Sequence, residues 1–234
     1  MLTGVPSADP TNSLWVRAGE PRPGPRPGLS LDDIAAVCVR LADAEGIGAL
    51  SMRRVAEELG TGAASLYRYV SGKDDLVSLM YDRVAAEYEF DRVTGDLRAD
   101  TLAVAEQARA MYRRHPWMTG VNPADLGPNG VRYLDHMAAV LAPARLDPAA
   151  TMTGIAMLSG WVTVFSAQEA SGQVVPAGGA ERIAAVLRLG DYPHLAELFA
   201  RSDGPDRVAV DADAVFRAGL EALLFGIAGS AGIE

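Results

Sequence analysis

Leu31, Ile34, Cys38 and Leu41 recur at the three- and four-residue intervals that bring side chains onto one face of an α-helix. Ser30 supplies a cap in front of them, Asp32 and Asp33 favour the positive end of the helix, and Gly46 supplies a stop. A second, shorter pattern has Ser51 as its cap, Met52, Val55, Ala56 and Leu59 pointing inward, and Gly60 at its end. A third begins after Thr61 and Gly62 and turns Ala63, Leu66 and Val70 inward, leaving Ser65, Arg68 and Tyr69 available outside. After Ser71 and Gly72 a longer helix starts at Lys73, with Leu76, Leu79, Met80 and Val84 as its apolar stripe.

Further helical patterns span about residues 97–114, 129–142, 148–170, 180–189 and 209–228, with prolines at 116, 123, 128, 143, 148, 176, 193 and 205 punctuating them. No β-branched run with period-two alternation lies between these breaks, so the expected fold is all-α. The run PRPGPRPG at 21–28 removes backbone donors and stiffness together, which makes residues 1–28 a flexible arm. The expected division is then arm 1–28, a helix-turn-helix unit 29–75 and a larger helical unit 76–234.

The stretch 148–170 carries no charge between Asp147 and Glu169, yet Thr151, Thr153, Gly154, Ser159, Gly160, Thr163 and Ser166 make it less apolar than a membrane span. It reads as a buried helix, apolar on two faces: Ile155, Leu158, Val162 and Phe165 on one, Met157, Trp161, Val164 and Gln168 towards another. A helix apolar all round needs cover from its own core and from a partner. Phe216, Leu220, Leu223 and Ile227 form the stripe of the last helix, where Gly219 and Gly226 permit close approach. A two-fold homodimer through 148–170 and 209–228 is the simplest closed solution.

Composition changes this picture in one respect. The 234 residues hold 21 Lys+Arg against 30 Asp+Glu, a formal net charge of −9, which argues against nucleic-acid binding through bulk positive charge. The excess is mostly distal, with 12 basic and 19 acidic side chains in 85–234. Within 51–73 the sign reverses, as Arg53, Arg54, Arg68 and Lys73 oppose Glu57 and Glu58. A single cysteine, Cys38, excludes an internal disulfide framework, and no secretory signal is readable at the N-terminus, so a cytoplasmic location is expected.

The local reversal falls on a helix-turn-helix pattern. Ala56 lets two helices approach, Gly60 suits a left-handed turn, and Leu66 anchors the second helix on the first. That second helix can enter a major groove, where small Ala63, Ala64 and Ser65 bring the backbone close to the bases. Tyr67 and Tyr69 can offer hydroxyls to phosphate, Arg68 can reach a guanine edge or the backbone, and Lys73, the only lysine, can pin a phosphate. Arg53 and Arg54 can hold the opposite wall of the groove.

The segment resembles the DNA-binding domain of the tetracycline-repressor (TetR) family of bacterial transcriptional regulators. Its capped first helix, Ala-x-x-x-Gly turn, and Leu66, Tyr67, Tyr69, Val70, Lys73 and Leu76 fall at the family's offsets between Leu29 and about Met80. The resemblance implies phosphate contacts from Tyr67, Tyr69 and Lys73 and base contacts from Ala63, Ala64, Ser65 and Arg68. His115-Pro116-Trp117 and Gly127-Pro128-Asn129-Gly130 extend a looser likeness to the family's effector domain, which binds a small molecule and dimerises as a four-helix bundle. The implied protein is a homodimeric repressor that leaves a palindromic operator when a small, mostly apolar molecule binds; alternatives are an activator on the same scaffold or a helical small-molecule binder without DNA.

Met111, Trp117, Met137, Trp161, Phe165 and Gln168 are the candidates for lining an effector pocket, although each singly also suits a plain core. The three histidines, His115, His136 and His194, lack metal-ligand spacing, and no nucleophile motif or phosphate loop stands near them. Neither metal, cofactor nor catalytic activity is expected. Cys38 reads as a small buried apolar residue.

Overall fold

The computed structural model describes residues 13–19, 29–174, 179–201 and 211–230, and among them every regular element is a helix. The α-helices are α1 (Leu14–Gly19), α2 (Leu31–Glu45), α3 (Met52–Glu58), α4 (Ala63–Leu66), α5 (Lys73–Ala85), α6 (Leu97–Arg114), α7 (Pro128–Leu141), α8 (Pro148–Ala170), α9 (Gly179–Leu187), α10 (Pro193–Arg201) and α11 (Ala212–Ser230). Ser30 caps α2 reciprocally: its hydroxyl accepts from the Asp33 amide at 3.0 Å while the Asp33 carboxylate accepts from the Ser30 amide at 2.9 Å. The Ser30 hydroxyl, which also donates to the Asp33 carboxylate at 2.6 Å, and then the Ser30 amide hold the Asp33 carboxyl below its ordinary pKa.

Two apolar clusters form the interior. The first joins α2, α3 and α4 through Ile34, Cys38, Leu41, Val55 and Leu66, adds Leu76, Leu79, Met80 and Val84 from α5, and takes in Met111, Trp117 and Met118. The second joins α6, α7, α8 and α11 through Val104, Met137, Val140, Leu158, Phe165, Phe216 and Leu220. α5 therefore belongs to the helix-turn-helix core while it also packs on α7. The division expected between residues 75 and 76 falls inside this helix.

The arm expected over 1–28 is corrected in part. Residues 1–12 and 20–28 lie outside the described residues, but Leu14–Gly19 is helical, and Leu14 is 2 % exposed within the first cluster. The Asp125 carboxylate accepts from the Ser13 hydroxyl and from the Leu14 amide, the latter at 3.0 Å. One buried leucine and a carboxylate oxygen that accepts twice dock a short helix that the neighbouring Pro/Gly run had hidden.

α10 was also missed, because Pro193 reads as a breaker. Proline is favoured in the first turn of a helix, where its absent N–H has no intrahelical partner to lose. α7, α8 and α10 all begin at a proline: Pro128, Pro148 and Pro193. The last helix is described over Ala212–Ser230, residues 209 and 210 of its expected span lying outside the described residues, and its buried stripe is Phe216, Leu220, Leu224 and Ile227, with Leu223 half-buried.

α8 is, among the described residues, the one helix long and apolar enough to cross a membrane; it packs on α6, α7 and α11. Ile155, Leu158, Val162 and Phe165 are buried there, while Thr153, Ala156, Met157, Gly160 and Val164 occupy an exposed face. α11 likewise exposes Ala218, Ala222 and Phe225. The two helices meet at Gly219, where a Cβ would stand 2.1 Å from the Trp161 ring; the Trp161 indole donates to the Phe216 carbonyl at 3.1 Å.

A charged cluster crosses the second core. Arg109, nearly buried, places its guanidinium over the Phe165 and Phe216 rings and donates to Glu169 at 2.6 and 3.0 Å and to Asp213 at 2.8 Å. Arg113 adds two more bonds to Glu169, at 2.6 and 3.2 Å. This clamps α6, α8 and the start of α11, and the Arg109 hydrogen bonds, with help from Arg113, hold the Glu169 carboxyl down to a pKa of about 2.

Candidate nucleic-acid interface and effector cavity

The reading unit is built by local signals. Ser51 caps α3 by accepting from the Arg54 amide at 3.2 Å. At its other end Gly60 adopts φ +65°, its amide donates to the Glu57 carbonyl, and the Thr61 amide donates to the Ala56 carbonyl at 2.9 Å. This is the paired C-terminal closure that glycine permits, and it aims the chain into α4. Leu66 and Val70 are then buried in the first cluster, which fixes the roll of α4 about its axis.

Ala64, Tyr67 and Arg68 are exposed, and Ala63 and Ser65 are half-buried at the start of the helix. Tyr69 differs from its outward expectation: it is half-buried and packs against the first cluster, because the last turn tightens after Leu66, with the Tyr69 amide bonded to the Leu66 carbonyl at 2.9 Å. Lys73 is exposed, and its ammonium donates to the Ile47 carbonyl at 3.3 Å. Arg53 pairs with Glu57 at 2.8 Å, and Arg54 with Glu45 and Glu58 at 3.2 and 3.1 Å. Among the described residues no carboxylate lies within ion-pair distance of Arg68 or Lys73, so these two present their charge to the exterior without internal neutralisation.

A cavity of about 220 Å³ opens where α5 meets α6, α7 and α8. α5 contributes Ser78, Tyr81, Asp82 and Ala85; α6 contributes Ala108, Met111 and Tyr112. Tyr133 and Leu134 of α7, Ser159 and Val162 of α8, and Met118 with the loop from Pro123 to Gly127 close it. Its phenols are held in place: Tyr81 donates to the Met118 and Val121 carbonyls, Tyr112 shares a hydrogen with Thr163 at 2.7 Å, and Tyr133 with Ser159 at 3.0 Å. Burial pushes the pKa values of Tyr81, Tyr88, Tyr112 and Tyr133 up, which keeps them neutral. Asp82 accepts from the Asn129 amide at 2.7 Å, the Asn129 side chain at 2.9 Å and the Gly130 amide at 3.2 Å, tying α5 to the first turn of α7.

Of the six pocket candidates, only Met111 lines this cavity. Trp117 instead belongs to the first core, its indole donating to Asp43 at 2.8 Å; the adjacent His115 caps the end of α6 through its amide, which donates to the Met111 carbonyl at 2.8 Å, while its ring meets Asp43 at 2.8 Å and Glu87 at 3.2 Å. Met137 and Phe165 fill the second core, and Trp161 is spent on α11. Gln168, expected at the end of a buried face, is exposed, since it lies on the open side of α8. The lining that was missed had a signal: Ser78, Tyr81, Asp82 and Ala85 stand at i, i+3, i+4 and i+7, a second stripe on α5 beside its apolar one. Cys38 is fully buried, and that burial pushes its thiol pKa up to about 12, so it is no nucleophile. Among the described residues no group of three or more His, Cys, Asp or Glu side chains is disposed to hold a metal.

A capped helix pair with an outward second helix, set on an all-helical body with its own cavity, defines a helix-turn-helix DNA-binding regulator. Residues 34–80 match the family described as bacterial regulatory proteins, tetR family, and residues 91–230 match the tetracyclin repressor-like C-terminal domain. The chain belongs to the TetR family. It is 38% identical over 213 residues to the HTH-type transcriptional repressor DrrR1 of Streptomyces coeruleorubidus, covering 82% of this chain and 77% of that one. An HTH-type transcriptional regulator of Saccharopolyspora erythraea is 32% identical over 238 residues, covering 99% and 95%. Among solved structures, the TetR family protein ActR of Streptomyces coelicolor in complex with actinorhodin superposes with a TM-score of 0.74 at 29% identity, covering 88% of this chain and 99% of ActR.

Proposed function

We propose that this protein is a ligand-responsive repressor that binds a palindromic operator as a homodimer and leaves it when a small, mostly apolar molecule fills the cavity at α5–α8. One observation carries the reading: α5 begins at Lys73, beside the recognition helix, and ends as a wall of the cavity. Thirteen residues at about 1.5 Å each give a rigid connection of roughly 20 Å between the two places. A ligand that moves Tyr81 or breaks the Asp82 contacts to α7 therefore reorients Lys73 and α4. The complexes of ActR with ligands, and the naming of DrrR1 as a repressor, support the assignment.

Dimerisation uses the exposed small and apolar face of α8 and α11, two helices from each copy forming a four-helix bundle. It sets the recognition helices about 34–36 Å apart, one turn of DNA, and the ligand favours a dimer in which that spacing is lost. Phosphate contacts come from Tyr67 and Lys73, with Tyr69 and the ion-paired Arg53 at the flanks, and base contacts from Ala63, Ala64, Ser65 and Arg68. Ligand and DNA weaken each other by the same factor.

The test is a gel shift with DNA from around the protein's own gene, followed by a metabolite screen for release and by transcription measured after deletion of the gene. Repression predicts higher transcription on deletion; lower transcription identifies an activator. Retention of the DNA by the Tyr67→Ala, Lys73→Ala double variant at parental affinity would reject the recognition-helix assignment.

A further inference from the structure

The cavity carries charge of one sign. Among the described residues Asp82 and Asp125 line it, and no Arg, Lys or His does. Among the described residues, the hydrogen bonds these carboxylates receive come from neutral donors: Asn129 and Gly130 on Asp82, Ser13 and Leu14 on Asp125. Both Asp125 acceptances fall on Oδ2, so among the described residues its Oδ1 receives none. The remaining wall is aromatic and methionine-rich, and the Tyr88 and Tyr133 rings lie 4.9 Å apart, tilted by 31°.

An anion entering this space would shed its hydration with no cation to meet it and two carboxylates to oppose it. A cation meets the opposite situation, since carboxylates and the negative faces of aromatic rings both attract it. Size adds a second limit. An apolar cavity of about 150 Å³ accepts a single benzene ring, so a space of about 220 Å³ has room for a fused ring pair.

We propose that the cavity selects a flat aromatic ligand bearing a positively charged amine, with the rings among the tyrosines and the amine at Asp125, and that it discriminates against anionic compounds of the same shape. This rests on reading the cavity as the effector site. The Asp125 carboxylate also holds Ser13 and Leu14, so a bound amine draws on the same group that docks α1.

Calorimetric titration of the full chain with three probes of one shape tests this: 2-naphthylmethylammonium, 2-naphthylmethanol and 2-naphthoate. The expected order is cation, alcohol, anion, with the cation about tenfold or more tighter than the anion. Asp125→Asn is expected to weaken the cation severalfold and to leave the alcohol within about twofold. Ala108→Leu and, separately, Ala85→Leu, each verified as folded by circular dichroism, should weaken all three probes. An anion bound as tightly as the cation, or a cation-to-anion ratio unchanged by Asp125→Asn, overturns the charge inference, and loss of binding in the filled variants would then still leave the cavity as the binding site. If both filled variants bind all three probes as the parent does, the cavity reading itself fails.

Discussion

Among the described residues, α3–α4 and α8–α11 each leave a face without internal cover, and those two faces differ in chemistry. α3–α4 exposes Ala64, Tyr67 and Arg68, with Lys73 following, a polar surface with a small-residue tip. α8–α11 exposes Ala156, Met157, Gly160, Val164, Ala222 and Phe225, the last 83 % exposed. A face whose cations lack carboxylate partners suits a phosphate polymer, because binding releases condensed counterions instead of breaking internal ion pairs. A face of small and apolar groups gains by excluding water against a like surface. Each exposed face is thus an argument about what covers it, and each can be attacked separately.

The largest effect is expected at the apolar face. Val164→Asp combined with Phe225→Asp places charge at the centre of the proposed bundle without touching either core. Sedimentation should then report a monomer at micromolar concentration. Operator affinity should fall by roughly 10²–10⁴-fold, the avidity lost when a two-site contact becomes a one-site contact. A parent protein that is already monomeric at that concentration would sink the dimer proposal.

Next comes the polar face. Arg68→Ala is expected to cost about 1–3 kcal/mol of operator binding and to relax preference at one base pair if Arg68 reads a guanine edge. Lys73→Ala should weaken binding evenly across sequences and reduce the salt slope by about one unit. Arg53→Ala should do less than either, as Arg53 already pairs with Glu57. Anisotropy titrations across a salt series distinguish the three.

The difference between the regions also explains what the chain disclosed before its structure. Ser30, Ser51, Gly60 and the Ala56/Leu66 spacing act within a few residues of themselves, so the reading unit was legible almost residue by residue; Tyr69 is half-buried rather than fully outward because a tightened last turn shifts its direction. The cavity is assembled from residues as far apart as Ser78 and Val162, and its large side chains compete for places that pattern alone does not assign. Trp117 and Trp161 were both plausible lining until Asp43 and the Phe216 carbonyl claimed their indoles. Helix periodicity says which face turns inward, but not which of two cores or a cavity that face meets.

A third effect probes the charge behind the apolar face. Glu169 is held at a pKa of about 2 by Arg109 and then Arg113, below an ordinary value of 4.5. The stability this contributes is fully present above pH 4.5 and is lost as pH falls toward 2. Glu169→Gln should lower stability at pH 7 by about 2 kcal/mol and flatten its pH dependence across that window, as measured by urea unfolding at several pH values.

The smallest effect isolates how the reading unit is closed. Gly60 sits at φ +65° with no atom within 4 Å of where a Cβ would stand, so Gly60→Ala meets conformational strain alone. The expected cost is about 1 kcal/mol, or a fall of roughly 2–4 °C in Tm for a chain of this length. Gly62 has equal space but φ −83°, an ordinary extended conformation. There alanine restricts the unfolded chain more than it strains the folded one, and Gly62→Ala should leave Tm unchanged or raise it slightly. Equal losses from both substitutions would mean that the turn tolerates no side chain at all, and that the left-handed closure at Gly60 is not what aims α4.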